Sequence, residues 1–121
     1  MRKINQLLVI CQDPAEVKAL LPALRTLWAG CPTPIHLGVP PPAGYGEALR
    51  REVVAAREEL EAAGCQVSAK EIPAQTAGES LPEVTKEYGL VAVCLTRDVK
   101  KDSAQLQWLS QVKAPLMLVL R

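Results

Sequence analysis

The stretch Leu7-Leu8-Val9-Ile10-Cys11-Gln12-Asp13-Pro14 decides the fold, because it contains the change from a strand to a helix. Its first five residues form a continuous apolar run, which is typical of a strand covered on both faces of a sheet. Asp13 followed by Pro14 is typical of a helix start, since Asp caps free backbone amides and proline suits the first turn. The stretch therefore predicts a buried strand that leads directly into a helix.

The same alternation continues along the chain. Further strands are predicted at 35–39, 67–72, 90–95 and 116–120, and helices from Pro14 up to Gly30, from Glu47 to Ala63, between Ala77 and Tyr88, and from Ser103 to Val112. Pro22 lies inside the first helix and is expected to kink it or to move its start. The order βαβαβαβαβ predicts an α/β fold, a three-layer doubly wound parallel sheet, in one domain over residues 1–121.

The composition of the chain argues against several classes of function. The 121 residues are 49% hydrophobic, and 14 basic residues against 13 acidic ones give a formal charge of +1. Such a balance argues against binding nucleic acid or anionic lipid as the main function. No apolar stretch reaches the roughly 20 residues of a membrane helix, and Met1-Arg2-Lys3 leads into the first strand without a cleavage site. We therefore expect a cytoplasmic protein.

The cysteines and the single histidine do not form a recognisable metal site. Cys11, Cys31, Cys65 and Cys94 are far apart in sequence, and none belongs to a C-x-x-C pair. We interpret them as packing residues. His36 lies within a strand-like run, which favours a structural role over catalysis or metal binding.

The order of elements, together with an apolar last strand preceded by Val112-Lys113-Ala114-Pro115, resembles the universal stress protein (UspA-like) family over nearly the whole chain. The resemblance implies a sheet in the order 3-2-1-4-5, a fold of the adenine nucleotide alpha hydrolase-like type. It also implies that ATP-binding members carry an Asp after the first strand and a G-x2-G-x9-G-[ST] loop after the fourth. Glycines in such a loop let the backbone approach phosphates at a helix start.

This chain departs from that pattern in both loops. Residues 95–103 contain no glycine, and Asp98 and Asp102 place negative charge where a triphosphate would lie. After the first strand, either Gln12 or Asp13 occupies the acidic position of the family, or Asp13 is only the cap of the first helix. The resemblance thus indicates a divergent member without family-type ATP binding.

Basic side chains and the amides of a helix start still suit a small anion. The candidate nucleotide or anion site comprises Gln12, Asp13, Val39, Thr96, Arg97, Lys100, Lys101 and Ser103. The alternative for the basic residues is a solvated charged turn. Tyr45 either stacks on a base or is an exposed loop residue. Cys11 and Cys94 end strands that the family order makes neighbours, so they are either two buried thiols or a redox pair.

The sequence favours a non-catalytic domain that acts through self-association and protein contacts. The last strand is apolar and lies at a sheet edge in the family order, which predicts a homodimer through this strand. The alternative is a sensor that binds AMP or ATP; otherwise no cofactor is expected. No G-x-S-x-G or G-x-G-x-x-G motif is present, and the acids and lysine of a phosphoacceptor receiver domain are missing, so no enzyme class is indicated.

Overall fold

From residue 7 to residue 71, strands and helices alternate in the order that the sequence predicts. The computed structural model describes residues 6–42, 45–72, 88–95, 109–110, 112 and 114–120. The elements are β1 Leu7–Ile10, α1 Pro14–Trp28, β2 Ile35–Val39, α2 Glu47–Ala62, β3 Val67–Glu71, β4 Leu90–Leu95 and β5 Leu116–Leu120. The predicted third helix, and most of the predicted fourth, lie outside the described residues.

The five strands form one parallel sheet in the order β3-β2-β1-β4-β5, as predicted. Leu7 of β1 is in register with Ile35 of β2 on one side and with Leu90 of β4 on the other. The winding direction reverses between β1 and β4, so the carboxyl ends of these two strands flank the crevice in which this class of fold normally binds ligands.

Local sequence explains both described helices. The Asp13 side chain accepts a hydrogen bond from the amide of Ala15, and Pro14 occupies the first turn of α1. The helix begins where the sequence predicts and continues past Pro22, whose side chain is exposed. In α2 every fourth or third position on one face is apolar and buried: Leu49, Val53, Ala56 and Leu60.

Two apolar clusters cover the two faces of the sheet. Leu7, Val9 and Cys11 of the β1 segment pack with buried residues of α1 and α2, whereas Leu8 and Ile10 point to the other face. The second cluster contains Ile72, Tyr88, Val91, Val93, Leu95, Leu109 and Ala114. Because both faces of β1 are covered, all four of its residues are buried, which explains its continuous apolar sequence.

The sheet interior depends on a glycine in β2. A Cβ atom on Gly38 would lie 2.7 Å from Cδ1 of Ile72 and 3.2 Å from the carbonyl oxygen of Val9. A side chain here would displace the end of Ile72 and crowd the backbone of β1, so glycine favours close packing of the second cluster on β2.

The two edges of the sheet differ in polarity. In β3 the residues Ser68 to Glu71 are exposed and mostly polar, whereas Leu118 and Leu120 of β5 are 48% and 53% exposed. Among the described residues, no helix combines the length and apolar character that crossing a membrane requires.

Candidate functional site

The β1 exit carries two of the predicted site residues. Asp13 has extended backbone angles, and its Oδ1 accepts a 2.7 Å hydrogen bond from the amide of Ala15. The carboxylate therefore serves as the N-cap of α1, as the Asp13-Pro14 pair predicts. Whether Asp13 also contacts a ligand stays a prediction.

Gln12 lies just before this cap and is half-buried. Its Nε2 atom is shielded from solvent and has no hydrogen-bond partner among the residues that the structure describes. A buried amide donor of this kind favours an acceptor atom nearby. Among the predicted site residues that the structure describes, Gln12 therefore has a side-chain hydrogen-bond donor available at the carboxyl end of β1.

Cys11 lies beside Gln12 and is fully buried. Burial, with a smaller contribution from the carboxylate of Glu16, raises the pKa of Cys11 to about 12. The β1–β4 register pairs Val9 with Ala92, and when continued by two residues it places Cys11 beside Cys94, which is also buried. Both thiols belong to the core cluster, which agrees with the packing role.

Val39 is the last residue of β2, and Tyr45 lies in the segment between β2 and α2. Val39 is buried, and its carbonyl accepts a 2.8 Å hydrogen bond from the amide of Ile72. The Tyr45 ring is half-buried against the core cluster, and the guanidinium of Arg50 lies 4.3 Å from its centroid. Burial raises the pKa of the Tyr45 hydroxyl. One face of this ring is therefore occupied by a cation, as in a cation–π contact.

The remaining predicted site residues follow β4. Thr96, Arg97, Lys100, Lys101 and Ser103 lie outside the described residues, so their roles stay predictions. The structure thus places Gln12, Asp13 and Val39 at the carboxyl ends of β1 and β2. Among the residues that it describes, no group of three or more His, Cys, Asp or Glu side chains is placed to hold a metal ion.

His36 makes cross-strand hydrogen bonds. Its Nδ1 lies 2.9 Å from the hydroxyl of Ser68, and its Nε2 lies 3.0 Å from Oε1 of Gln6. The ring also meets Tyr88 edge to face at 5.7 Å. These contacts hold β2 and β3 together beside the start of β1, in agreement with the structural role expected of this histidine.

The opposite end of the sheet contains a feature that the sequence analysis missed. An open cavity of about 380 Å³ lies between the carboxyl ends of α1 and α2, lined by Pro22, Arg25, Thr26, Ala29 and Ala63. Cys31 and Cys65 follow the two turns that end these helices. The glycine that precedes each cysteine, Gly30 and Gly64, is the signal that could have indicated two similar turns.

Comparisons with known proteins place this geometry in a fold family. No protein-family model matches the sequence, and no curated protein matches it significantly. The structure superimposes on a universal stress protein in complex with cAMP over 98% of both chains, with a TM-score of 0.67 and 16% sequence identity. It also superimposes on hypothetical protein MJ0577, the subject of a structure-based assignment of biochemical function, over 98% of both chains, with a TM-score of 0.71 and 9% identity. The chain therefore has the fold of the universal stress proteins.

Proposed function

We propose that this chain is a non-catalytic, cytoplasmic domain of the universal stress protein type that acts by forming a homodimer through β5 and by contacting other proteins. In this proposal the crevice does not bind ATP in the family manner. The observation that carries the proposal is the apolar, exposed edge formed by β5.

The side chains of β5 differ from one face to the other. Met117 and Val119 pack against one core cluster, and Leu116 packs against the other. Leu118 and Leu120 remain about half exposed. An edge strand has one row of unpaired backbone groups, and exposed leucines beside such a row favour pairing with another strand.

The opposite edge has the features that discourage such pairing. Ser68, Lys70 and Glu71 of β3 are exposed polar or charged residues, and charged side chains on an edge strand oppose association. A second copy of the chain therefore pairs more favourably along β5 than along β3, and twofold symmetry allows the same strand to serve both copies.

Two features argue against family-type ATP binding. The segment 95–103 has no glycine to let the backbone approach phosphates. In addition, the carboxylate of Asp13 already accepts a hydrogen bond from the helix that it caps. Both features favour a function that does not depend on ATP binding in the family manner.

Light scattering coupled to size-exclusion chromatography tests the dimer. We expect a mass twice the 13.1 kDa of one chain, and a monomer for the double variant Leu118→Lys/Leu120→Lys. Ala69→Lys on β3 is the matched control and should stay dimeric, with circular dichroism to verify folding. A monomeric wild type at micromolar concentration, or a dimer that survives the double substitution, would contradict the proposal.

A second candidate is a nucleotide sensor that binds at the ends of β1 and β4. It is favoured by the buried Nε2 donor of Gln12, and the fold neighbour in complex with cAMP indicates that a universal stress protein binds such a ligand. In this case Arg97, Lys100 and Lys101 would provide positive charge in place of the glycine loop.

Calorimetric titration with ATP, AMP and cAMP separates the two candidates. The first candidate predicts no heat and no change in melting temperature. The sensor predicts saturable binding that Gln12→Ala weakens and Gln66→Ala does not, because Gln66 is an exposed residue before β3. Binding that is insensitive to both substitutions would place the nucleotide elsewhere.

A further inference from the structure

Two turns of similar geometry touch at the amino end of the sheet. Gly30 and Gly64 have φ angles of +71° and +89°, which L-residues with side chains rarely adopt. The amide of Gly30 donates a 2.9 Å hydrogen bond to the carbonyl of Ala63. A Cβ atom on Gly64 would lie 3.3 Å from the Cα atom of Gly30, so the two turns are in backbone contact.

This contact brings together two cysteines that are far apart in sequence. Cys31 follows Gly30, and its amide donates a 2.9 Å hydrogen bond to the carbonyl oxygen of Trp28. The thiol of Cys65 donates to the same oxygen at 3.2 Å. The Cys65 sulfur and the Cys31 amide nitrogen share this oxygen and are therefore within roughly 6 Å of each other. The shared oxygen and the touching turns place the two cysteines side by side, as a disulfide requires.

The two thiols differ in accessibility and acidity. Cys31 is partly exposed, and its sulfur lies 3.4 Å from the hydroxyl oxygen of Thr33. Hydrogen bonding with the hydroxyl and the backbone of Thr33 lowers the pKa of the Cys31 thiol. Cys65 is buried, and burial together with the nearby Cys31 raises its pKa. Cys31 therefore has the features of an attacking thiolate, and Cys65 those of a protected second thiol.

We propose that Cys31 and Cys65 form a peroxide-sensitive thiol pair that closes into a reversible intramolecular disulfide. The oxidant is a peroxide such as H₂O₂. The disulfide would join the turn between α1 and β2 to the turn between α2 and β3, and so tie together the amino ends of two neighbouring strands.

The chemistry balances in two steps. The Cys31 thiolate attacks one oxygen of the peroxide, the O–O bond breaks, and hydroxide leaves and takes up a proton, which leaves a sulfenic acid on Cys31. The Cys65 sulfur then attacks the Cys31 sulfur, the S–O bond breaks, and the hydroxyl leaves as water with the proton from Cys65. The two sulfurs lose two electrons in total, and the peroxide is reduced to two molecules of water. A small thiol reductant reverses the reaction by exchange.

The other candidate pair is less suited to this reaction. Cys11 and Cys94 are neighbours across β1 and β4, but both are buried in the core cluster. A peroxide must reach a thiolate to react with it. Neither of these sulfurs is accessible, and the pKa of Cys11 is raised to about 12.

Peptide mapping tests the proposal on the unmodified chain. Trypsin separates the four cysteines into peptides 4–18, 26–50, 58–70 and 87–97. After brief treatment with H₂O₂, we expect an intact mass lower by two hydrogens. Alkylation and digestion should then yield a linked pair of peptides 26–50 and 58–70 that dithiothreitol separates. Four singly alkylated peptides, or a link between 4–18 and 87–97, would overturn the proposal.

Variants identify the role of each sulfur. In Cys65→Ser we expect H₂O₂ to form a sulfenic acid on Cys31 that dimedone traps. In Cys31→Ser the remaining thiol, Cys65, should react with neither H₂O₂ nor dimedone. Cys94→Ser is the matched control and should form the link at the wild-type rate. The disulfide closes a loop in the unfolded chain, so the oxidised wild type should melt several degrees higher than the reduced form. Dimedone labelling that is equal on Cys31 and Cys11 in Cys65→Ser would contradict the assigned order of attack.

Discussion

Cys11 at one end of the parallel sheet and Cys31 at the other lie in opposite environments. At the carboxyl end, Cys11 is fully buried, and its pKa is raised to about 12. At the amino end, Cys31 is partly exposed, and its pKa is lowered by Thr33. Ligands in this class of fold normally bind at the carboxyl end, yet the more reactive thiol lies at the amino end. Burial and local hydrogen bonds, more than position in the fold, thus set the chemistry of these side chains.

The largest effect that sharpens this comparison is a loss of stability at alkaline pH. Unfolded Cys11 ionises near its ordinary pKa of 9.0, whereas the folded thiol keeps its proton until about pH 12. Between these values the unfolded state releases a proton that the folded state retains, so raising the pH favours unfolding. Below the pKa of the unfolded thiol, the contribution of Cys11 to the free energy of unfolding does not change with pH. We expect the free energy of unfolding to fall by up to about 1.4 kcal/mol per pH unit in this window.

Urea unfolding in a series of buffers from about pH 8 to about pH 11 measures this slope. Cys11→Ala should flatten it, whereas Cys31→Ala should leave it nearly unchanged. Equal slopes in the wild type and in Cys11→Ala would mean that burial does not keep the Cys11 thiol from ionising. The contrast between Cys11 and Cys31 would then fail.

The turns at the two ends should also respond differently to the same substitution. Gly64 has a φ angle of +89° and is in backbone contact with Gly30, so Gly64→Ser should cost roughly 1–2 kcal/mol. Gly46, at the start of α2, has a φ angle of −71°, and a Cβ atom added there would meet no atom of a more distant residue within 4 Å. Gly46→Ser should leave stability unchanged or raise it slightly, because serine adds a helix cap. Equal losses for both variants in urea unfolding would contradict this account of the turns.

A smaller effect is expected from the cap at the carboxyl end. Asp13→Ala removes the hydrogen bond to the amide of Ala15 and should cost about 1 kcal/mol. Asp13→Asn keeps an acceptor and should lose much less. If Asp13→Ala instead stabilises the chain, the carboxylate is held in a strained position for another purpose, and a binding role for Asp13 would become the better interpretation.

The sequence predicts most of the fold because its apolar runs are clearly bounded. Pro34 and the prolines from Pro40 onwards enclose β2, and Gly64 follows α2 after a continuous apolar stripe. The strand order is implied by the family resemblance, and the structure confirms it. The cap formed by Asp13 is also predictable, since it depends only on neighbouring residues.

The candidate sites are less predictable because they depend on distant contacts. Cys31 and Cys65 meet only because the two glycine turns pack together, and nothing local to either cysteine indicates its partner. The sequence does not decide between stacking and exposure for Tyr45, because its half-buried ring and the covering guanidinium depend on where α2 places Arg50. Sequence patterns report local structure well, but the pairing of side chains across turns requires the tertiary arrangement.

The smallest predicted effect concerns the Thr33 hydroxyl, which distinguishes the Cys31 thiol from the buried Cys11 thiol. Thr33→Val removes the side-chain hydrogen bond to Cys31 but keeps the backbone amide and a similar shape. The pKa of Cys31 should therefore rise towards its ordinary value, and alkylation of Cys31 near neutral pH should slow by a few-fold, since the thiolate is the reactive form. The pH dependence of iodoacetamide labelling, followed on the tryptic peptide 26–50, measures this change. Thr26→Val is the matched control, because the Thr26 hydroxyl bonds the carbonyl of Pro22 within α1. Identical labelling profiles for the wild type and Thr33→Val would show that exposure alone distinguishes Cys31 from the buried thiols, and the hydrogen bond would then have no part in its reactivity.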